Sequence, residues 1–259
     1  MIRLKLGKVE KVIYEKFEKR EGMVFALIDP CDYESVEAAV KCAREAEEGG
    51  ADVILIGGST NAQGDLLDGV ARGIKEKAKV PVVLFPGNIA TLTKHADAVY
   101  FMSLLNSRNT YWMGKAQLLG APIVKQLKIE AIPVGYIVVE PGGTVGWIGE
   151  VDLVPRSKPQ IAAALALAAE YGGRRIVVTD AGSASSGPIP VEMVKAVRSQ
   201  LSIPYIVGGG INTPEQAREI FAAGADAVQI GTVLEKSKNV KKLVRELKKA
   251  AKEGMERRK

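Results

Sequence analysis

Two acids and two glycine clusters carry most of the chemistry that this sequence offers. Asp29 ends an apolar run, and Pro30 fixes the turn after it. Asp180 ends a second apolar run and is followed by Ala181-Gly182-Ser183. An acid at such a place, with the nearby hydroxyl of Ser59, suits a hard cation such as Mg²⁺, which takes carboxylate and water oxygens. The same residues also suit caps of the helices that follow. Further along lie Gly208-Gly209-Gly210-Ile211-Asn212 and Gly231-Thr232. Glycine lets backbone N–H groups approach a phosphate closely, and a helix N-terminus adds its positive dipole. The two clusters in this order match the phosphate site of α/β barrels. They predict a phosphorylated substrate without naming it.

The elements that must hold these residues alternate regularly. Short apolar, β-branched runs predict strands at Val24–Ile28, Val53–Ile56, Val82–Phe85, Ala98–Phe101, Ile132–Val139, Arg175–Asp180, Tyr205–Val207 and Ala227–Ile230. Nearly continuous apolar runs mark parallel strands buried on both faces. Helical patterns lie between them at Ser35–Glu48, Leu66–Lys77, Thr110–Gly120, Pro159–Tyr171, Pro190–Gln200 and Pro214–Ala222. Eight strands with intervening helices predict one domain over 1–259, a (β/α)8 TIM-type barrel. The helix after the third strand is reduced to a loop, because Phe85 to Asp97 is too short for both turn and helix. An amphipathic stretch, Val9–Phe17, predicts an extra N-terminal helix that closes the barrel's lower end. Pro141–Pro155, with four glycines, reads as a long lid or binding loop.

Composition narrows the class. The 259 residues are 47% hydrophobic and 25% charged, as in soluble globular proteins, with only 5% aromatic. The longest apolar run, Ile161–Ala169, is nine residues, far short of the ~20 that span a membrane. Two cysteines, Cys31 and Cys42, cannot make a disulfide scaffold, and the cytoplasm is the expected location. The net charge of +6 is concentrated: Lys236–Lys259 holds eleven Lys or Arg against three Glu. Val240, Leu243, Val244 and Leu247 give that segment a core-facing stripe, so its basic side is a solvated face, and no nucleic acid is expected. His95, the single histidine, has no acid or cysteine partner nearby, which removes histidine triads and three-histidine metal sites.

Six motifs together are more specific than any barrel. They are Leu27-Ile28-Asp29-Pro30, Gly57-Gly58-Ser59-Thr60, Phe85-Pro86-Gly87-Asn88, Phe101–Ser107, Gly135–Gly142 and Gly208–Ile211. On these the chain resembles the geranylgeranylglyceryl phosphate synthases, in their larger, mainly archaeal branch, over nearly its whole length. The resemblance implies a Mg²⁺-dependent prenyltransferase of ether phospholipid biosynthesis. It would join geranylgeranyl diphosphate to the free 3-hydroxyl of sn-glycerol 1-phosphate and release diphosphate. It implies Asp29 and Ser59 as metal ligands. It also implies Val178, Thr179, Asp180, Ala181, Gly182, Ser183, Ala184, Gly209, Gly210, Gly231 and Thr232 around the glycerol phosphate. Asp180 would accept the proton of the attacking hydroxyl. A homo-oligomer is expected, with peripheral membrane contact through the product or the basic tail. Phe101, Leu104, Tyr136 and the 142–149 loop are the expected walls of a prenyl groove.

One departure stands out. Much of the family has Tyr-Leu-Glu-Ala-Gly-Ser-Gly where this chain has Val178-Thr179-Asp180-Ala181-Gly182-Ser183-Ala184. The acid is one methylene shorter and a phenol is lost, with Thr179 the nearest hydroxyl to replace it. Two rival readings share the phosphate loops. One is a barrel isomerase or lyase acting on a phosphorylated sugar-like metabolite, with Asp29 and Asp180 as its proton-transfer pair. The other is a barrel that only binds a phosphorylated ligand.

Overall fold

The computed structural model describes residues 6–258. Eight parallel strands close in sequence order into a barrel: β1 (Met23–Ile28), β2 (Val53–Gly58), β3 (Val82–Pro86), β4 (Ala98–Leu104), β5 (Glu130–Val138), β6 (Ile176–Asp180), β7 (Tyr205–Gly208) and β8 (Ala227–Ile230). β8 pairs with β1, which leaves no free edge. Each strand buries both faces, which is why its sequence is apolar without alternation. On β6, Ile176 and Val178 pack inside the barrel with Leu55, Tyr100 and Ile206, while Val177 packs outward against the helices.

The outer layer holds α2 (Val36–Gly49), α3 (Gly64–Lys75), α4 (Ala116–Leu127), α6 (Pro159–Tyr171), α7 (Val191–Arg198) and α8 (Pro214–Ala223). α1 (Lys8–Glu18) and α10 (Val240–Arg257) flank them, and α5 (Gly143–Ile148) and α9 (Thr232–Glu235) are short. Local chemistry sets the helix starts. The Ser35 hydroxyl accepts from the Ala38 N–H, and Thr213 with Gln216 forms a capping box. At the lower end the Glu130 carboxylate accepts from the backbone N–H of Val9 and Glu10, seating α1 on β5. α10 packs across α8 and α2, with Lys248 bonded to Asp52 at 2.7 Å. Its remaining lysines face solvent, as the stripe of Val244 and Leu247 requires. No helix among the described residues is long and apolar enough to cross a membrane.

As expected, no helix follows β3, and residues 87–97 cross directly to β4. Two other segments differ from expectation. The segment expected as a helix at Thr110–Gly120 opens with a π turn, Tyr111–Lys115, and α4 then continues to Leu127, past Gly120 and Pro122. Those two breakers are overridden by side-chain contacts: Gln117 donates to the Met102 and Trp112 carbonyls, and Val124 is buried against β4's outer face. The long 141–155 loop is ordered rather than loose. α5 sits inside it, and the Asn106 amide donates to the carbonyls of Val138 and Asp152 while accepting from the Val138 N–H.

Candidate active site

Two cavities open on the rim formed by the C-terminal ends of the strands, the usual place for a barrel site. The first is a polar cavity among the ends of β1, β6, β7 and β8. Among its walls are Asp29, Asp180, Gly182, Gly209, Gly210 and Thr232. The second is an apolar groove between the 87–97 crossing and α4. It exists because no helix follows β3, which leaves Val99 and Phe101 on β4 open to Leu92, Gly120 and Val124. Its upper end is covered by Trp112 from the π turn and by Val145, Ile148 and Gly149 from the lid.

The two cavities share no lining residue, and their walls approach each other at two places. Asp29 lines the polar cavity and Ser59 lines the groove, and Gly58, the neighbour of Ser59, packs against the Asp29 carboxylate. A Cβ at Gly58 would lie 2.7 Å from Asp29 Oδ1 and 2.9 Å from both Oδ2 and Ala62 Cβ, so glycine there lets the carboxylate pack against the end of β2. At the second place Tyr136 of β5 lines the groove, and its hydroxyl faces Asp180 of the polar cavity.

Asp180 is 7% exposed, and both of its oxygens are held. Oδ1 accepts from the Gly182 N–H at 2.7 Å, and Oδ2 accepts from Gln229 Nε2 at 2.7 Å. Burial pushes its carboxyl pKa up, and these two donors and Tyr136 offset part of that rise. β6, β7 and β8 set the geometry, since Asp180, Gly208 and Gln229 lie in one row across them. Gln229 reaches Asp180 because Gly208 has no side chain between them: a Cβ there would meet Oδ2 and Nε2 at 2.6 Å each.

Asp29 is pushed up to about 6 by burial, against the Cys31 N–H that it accepts and helped by the nearby Asp32. Glu235, at the end of α9, is pushed up to about 7 by burial and by Asp32 and Asp29. Asp29 has no basic partner among the described residues. Three acids, Asp29, Asp32 and Glu235, on one side of the polar cavity fit a bound divalent cation. No group of three His, Cys, Asp or Glu among the described residues is placed to hold an ion by itself, so such an ion would take its other oxygens from water and substrate.

The expected site residues separate into two groups. Asp29, Asp180, Gly182, Ser183, Ala184, Gly209, Gly210, Gly231 and Thr232 line the polar cavity together. Val178, Thr179, Ala181 and Ser59 do not line it. Val178 packs inside the barrel, and Thr179 points outward, its hydroxyl 2.7 Å from that of Tyr205 in the helix layer. The hydroxyl near Asp180 therefore comes from Tyr136, the register partner of Val178, and not from Thr179. Strand alternation carries that signal, because neighbours on a strand face opposite ways. Gln229 is the residue that spacing alone misses. Its sequence mark is a single amide inside the apolar run Ala227–Ile230. Of the expected groove walls, Phe101, Leu104, Tyr136, Val145, Ile148 and Gly149 line it. His95 is half-buried on the β3–β4 crossing and lines neither cavity.

The PcrB family matches residues 15–251. Curated relatives from Pyrococcus horikoshii and Thermococcus kodakarensis, each named geranylgeranylglyceryl phosphate synthase, are 52% identical. Those matches cover 92% of this chain, and 92% and 94% of the relatives. A crystal structure of (S)-3-O-geranylgeranylglyceryl phosphate synthase from Thermoplasma acidophilum, in complex with sn-glycerol-1-phosphate, superposes with a TM-score of 0.90. It is 37% identical and covers 96% of this chain and 100% of its own. A thiamine phosphate pyrophosphorylase from Pyrococcus furiosus, at 16% identity and a TM-score of 0.60, shares the barrel alone.

Proposed function

The chain belongs to the PcrB family, and from that premise and the geometry of its rim we infer a prenyltransferase. It forms an ether bond between geranylgeranyl diphosphate and the 3-hydroxyl of sn-glycerol 1-phosphate. The observation that carries this reading is the close approach of an apolar groove to a polar cavity, with Ser59 and Tyr136 on the groove side and Asp29 and Asp180 on the polar side. A lipid diphosphate needs an apolar tail site next to an anion site, and a sugar-phosphate isomerase needs no such groove.

The chain's own residues divide the work. The groove takes the hydrocarbon tail by apolar burial, with Trp112 and the lid excluding water above it. Backbone N–H groups of the loops after β7 and β8 hold the glycerol phosphate, which leaves its 3-hydroxyl within the reach of Asp180 and lowers the entropic part of the barrier. Asp180 accepts the proton of that hydroxyl as its oxygen bonds to the allylic carbon and the carbon–diphosphate bond breaks. Asp29 and Ser59 would hold Mg²⁺ where the two walls approach. When bound, that ion supplies positive charge to the departing diphosphate.

Exposed Leu118 and Leu119 on α4 support a homo-oligomer, and two free thiols, Cys31 and Cys42, support the cytoplasmic expectation. The experiment is incubation of the protein with both substrates and Mg²⁺, with the product analysed by mass spectrometry. A singly prenylated glycerol phosphate ether supports the reading. Rearrangement of a phosphorylated sugar without any prenyl donor would overturn it.

A further inference from the structure

Gln229 does two things that the reaction as stated leaves unexplained. Its Nε2 donates to Asp180 Oδ2 at 2.7 Å, inside the barrel and across Gly208. Its Oε1 is buried and has no hydrogen-bond partner among the described residues. The first contact fixes the amide, since only the NH₂ end can donate to a carboxylate. The oxygen is therefore committed to its unpaired position. Gln229 is 3% exposed and lines the polar cavity. A buried acceptor left without a donor costs stability unless a ligand completes it.

The rest of that cavity wall points the same way. The Asp180 oxygens accept from the Gly182 N–H and from Gln229, with the Tyr136 hydroxyl facing the same carboxylate, and a carboxylate has acceptor capacity beyond these contacts. Asp180 and Gln229 thus present three side-chain acceptors on one side of the cavity, two carboxylate oxygens and one amide oxygen, while Ser183 and Thr232 add hydroxyls elsewhere on its wall. Adjacent acceptors favour a molecule that places hydroxyl donors against them over one that presents a carbonyl in their place.

We infer that Gln229 is a positioning and specificity residue: its NH₂ end aims Asp180 at the attacking hydroxyl, and its oxygen accepts the second hydroxyl of the acceptor substrate. The residue thereby selects the glycerol phosphate over its ketone counterpart, whose central carbonyl would face Oε1 with no proton to share. This rests on the prenyltransferase reading for the identity of the acceptor, and its test is built on binding so that the two are separable.

Calorimetric binding of sn-glycerol 1-phosphate and of dihydroxyacetone phosphate is measured without prenyl donor, for the wild type, Gln229→Met and Gln229→Glu. The wild type is expected to prefer the glycerol phosphate. Gln229→Met keeps the volume and removes both polar ends, and it should weaken glycerol phosphate binding by about 10- to 100-fold. The preference over the ketone should shrink by a similar factor. Affinity for geranylgeranyl diphosphate and the melting temperature should stay near wild type. In turnover, Gln229→Met raises KM for glycerol phosphate and also lowers kcat, because Asp180 loses a donor. Gln229→Glu keeps the shape and sets two carboxyls against each other, and kcat should fall at least as far. An unchanged preference and near-normal kcat in both variants would overturn the inference, and so would an equal loss of affinity for all ligands. Absence of ether product from the wild type with the binding preference intact overturns the reading of the reaction and leaves the role of Gln229 standing.

Discussion

The Asp180 carboxylate occupies the space that a side chain on Gly208 would need, with Oδ2 2.6 Å from where the Cβ would stand. A methyl group at Gly208 therefore cannot coexist with the observed Asp180 and Gln229 positions. Gly208→Ala should lower turnover by about 10²-fold, the scale of a displaced acid–base group. Circular dichroism should keep the barrel signature, while the melting temperature should fall by a few degrees, since overpacking costs about 1–3 kcal/mol. Near-normal turnover would show that Asp180 can move without consequence.

Gly209 has φ +79°, where L side chains are strained, and a Cβ there would lie 2.8 Å from Asp180 Oδ1 and 2.7 Å from the Ala181 N. Gly209→Val should weaken glycerol phosphate binding far more than prenyl diphosphate binding. Calorimetry with each ligand alone checks this, and equal losses would indicate a general folding defect.

Much of this architecture is legible in the sequence, because parallel strands buried on both faces read as continuous apolar runs. The rim glycines, Asp29 and Asp180 stand at the ends of such runs. The Gln229–Asp180 contact is not legible. It joins residues 49 positions apart and depends on strand register and on Gly208 being empty. The course of α4 was hidden for a different reason. Gly120 and Pro122 signal a stop, and only tertiary contacts through Gln117 and Val124 override them.

Gly120 lies on α4 facing the groove, and a Cβ there would meet only Leu92 Cδ1, at 4.0 Å. Gly120→Leu should fill part of the groove and shift the preference from geranylgeranyl toward shorter prenyl diphosphates. Replacing a mid-helix glycine also favours the helix by ~1 kcal/mol, so the protein should not lose stability. The ratio of kcat/KM for C15 and C20 diphosphates reads the shift, and an unchanged ratio would place the tail elsewhere.

Asp29 carries a folded-state pKa pushed up to about 6 from an ordinary 3.8, chiefly by burial. A raised carboxyl pKa means that the folded state binds the proton more tightly than the unfolded chain does. Its effect is absent below about pH 4, grows between pH 4 and 6, and destabilises the fold fully above that. Asp29→Asn should therefore raise the melting temperature at pH 8 and leave it unchanged at pH 4. Partial exposure screens the penalty, so the gain is on the order of 1 kcal/mol, a few degrees. The same variant should lose most Mg²⁺-dependent turnover. A variant that is no more stable at pH 8 and fully active at limiting Mg²⁺ would contradict the assignment.

In the proposed reaction a lipid diphosphate in the groove is attacked by a hydroxyl delivered to Asp180. Pyrophosphate release tests it most directly, measured with both substrates, with each one omitted, and with Asp180→Ala and Asp180→Glu. Fast release is expected only when geranylgeranyl diphosphate and sn-glycerol 1-phosphate are both present. A loss of about 10²-fold or more is expected in Asp180→Ala, with substantial activity in Asp180→Glu. Release that is indifferent to the glycerol phosphate, or unchanged in Asp180→Ala, would contradict that reaction.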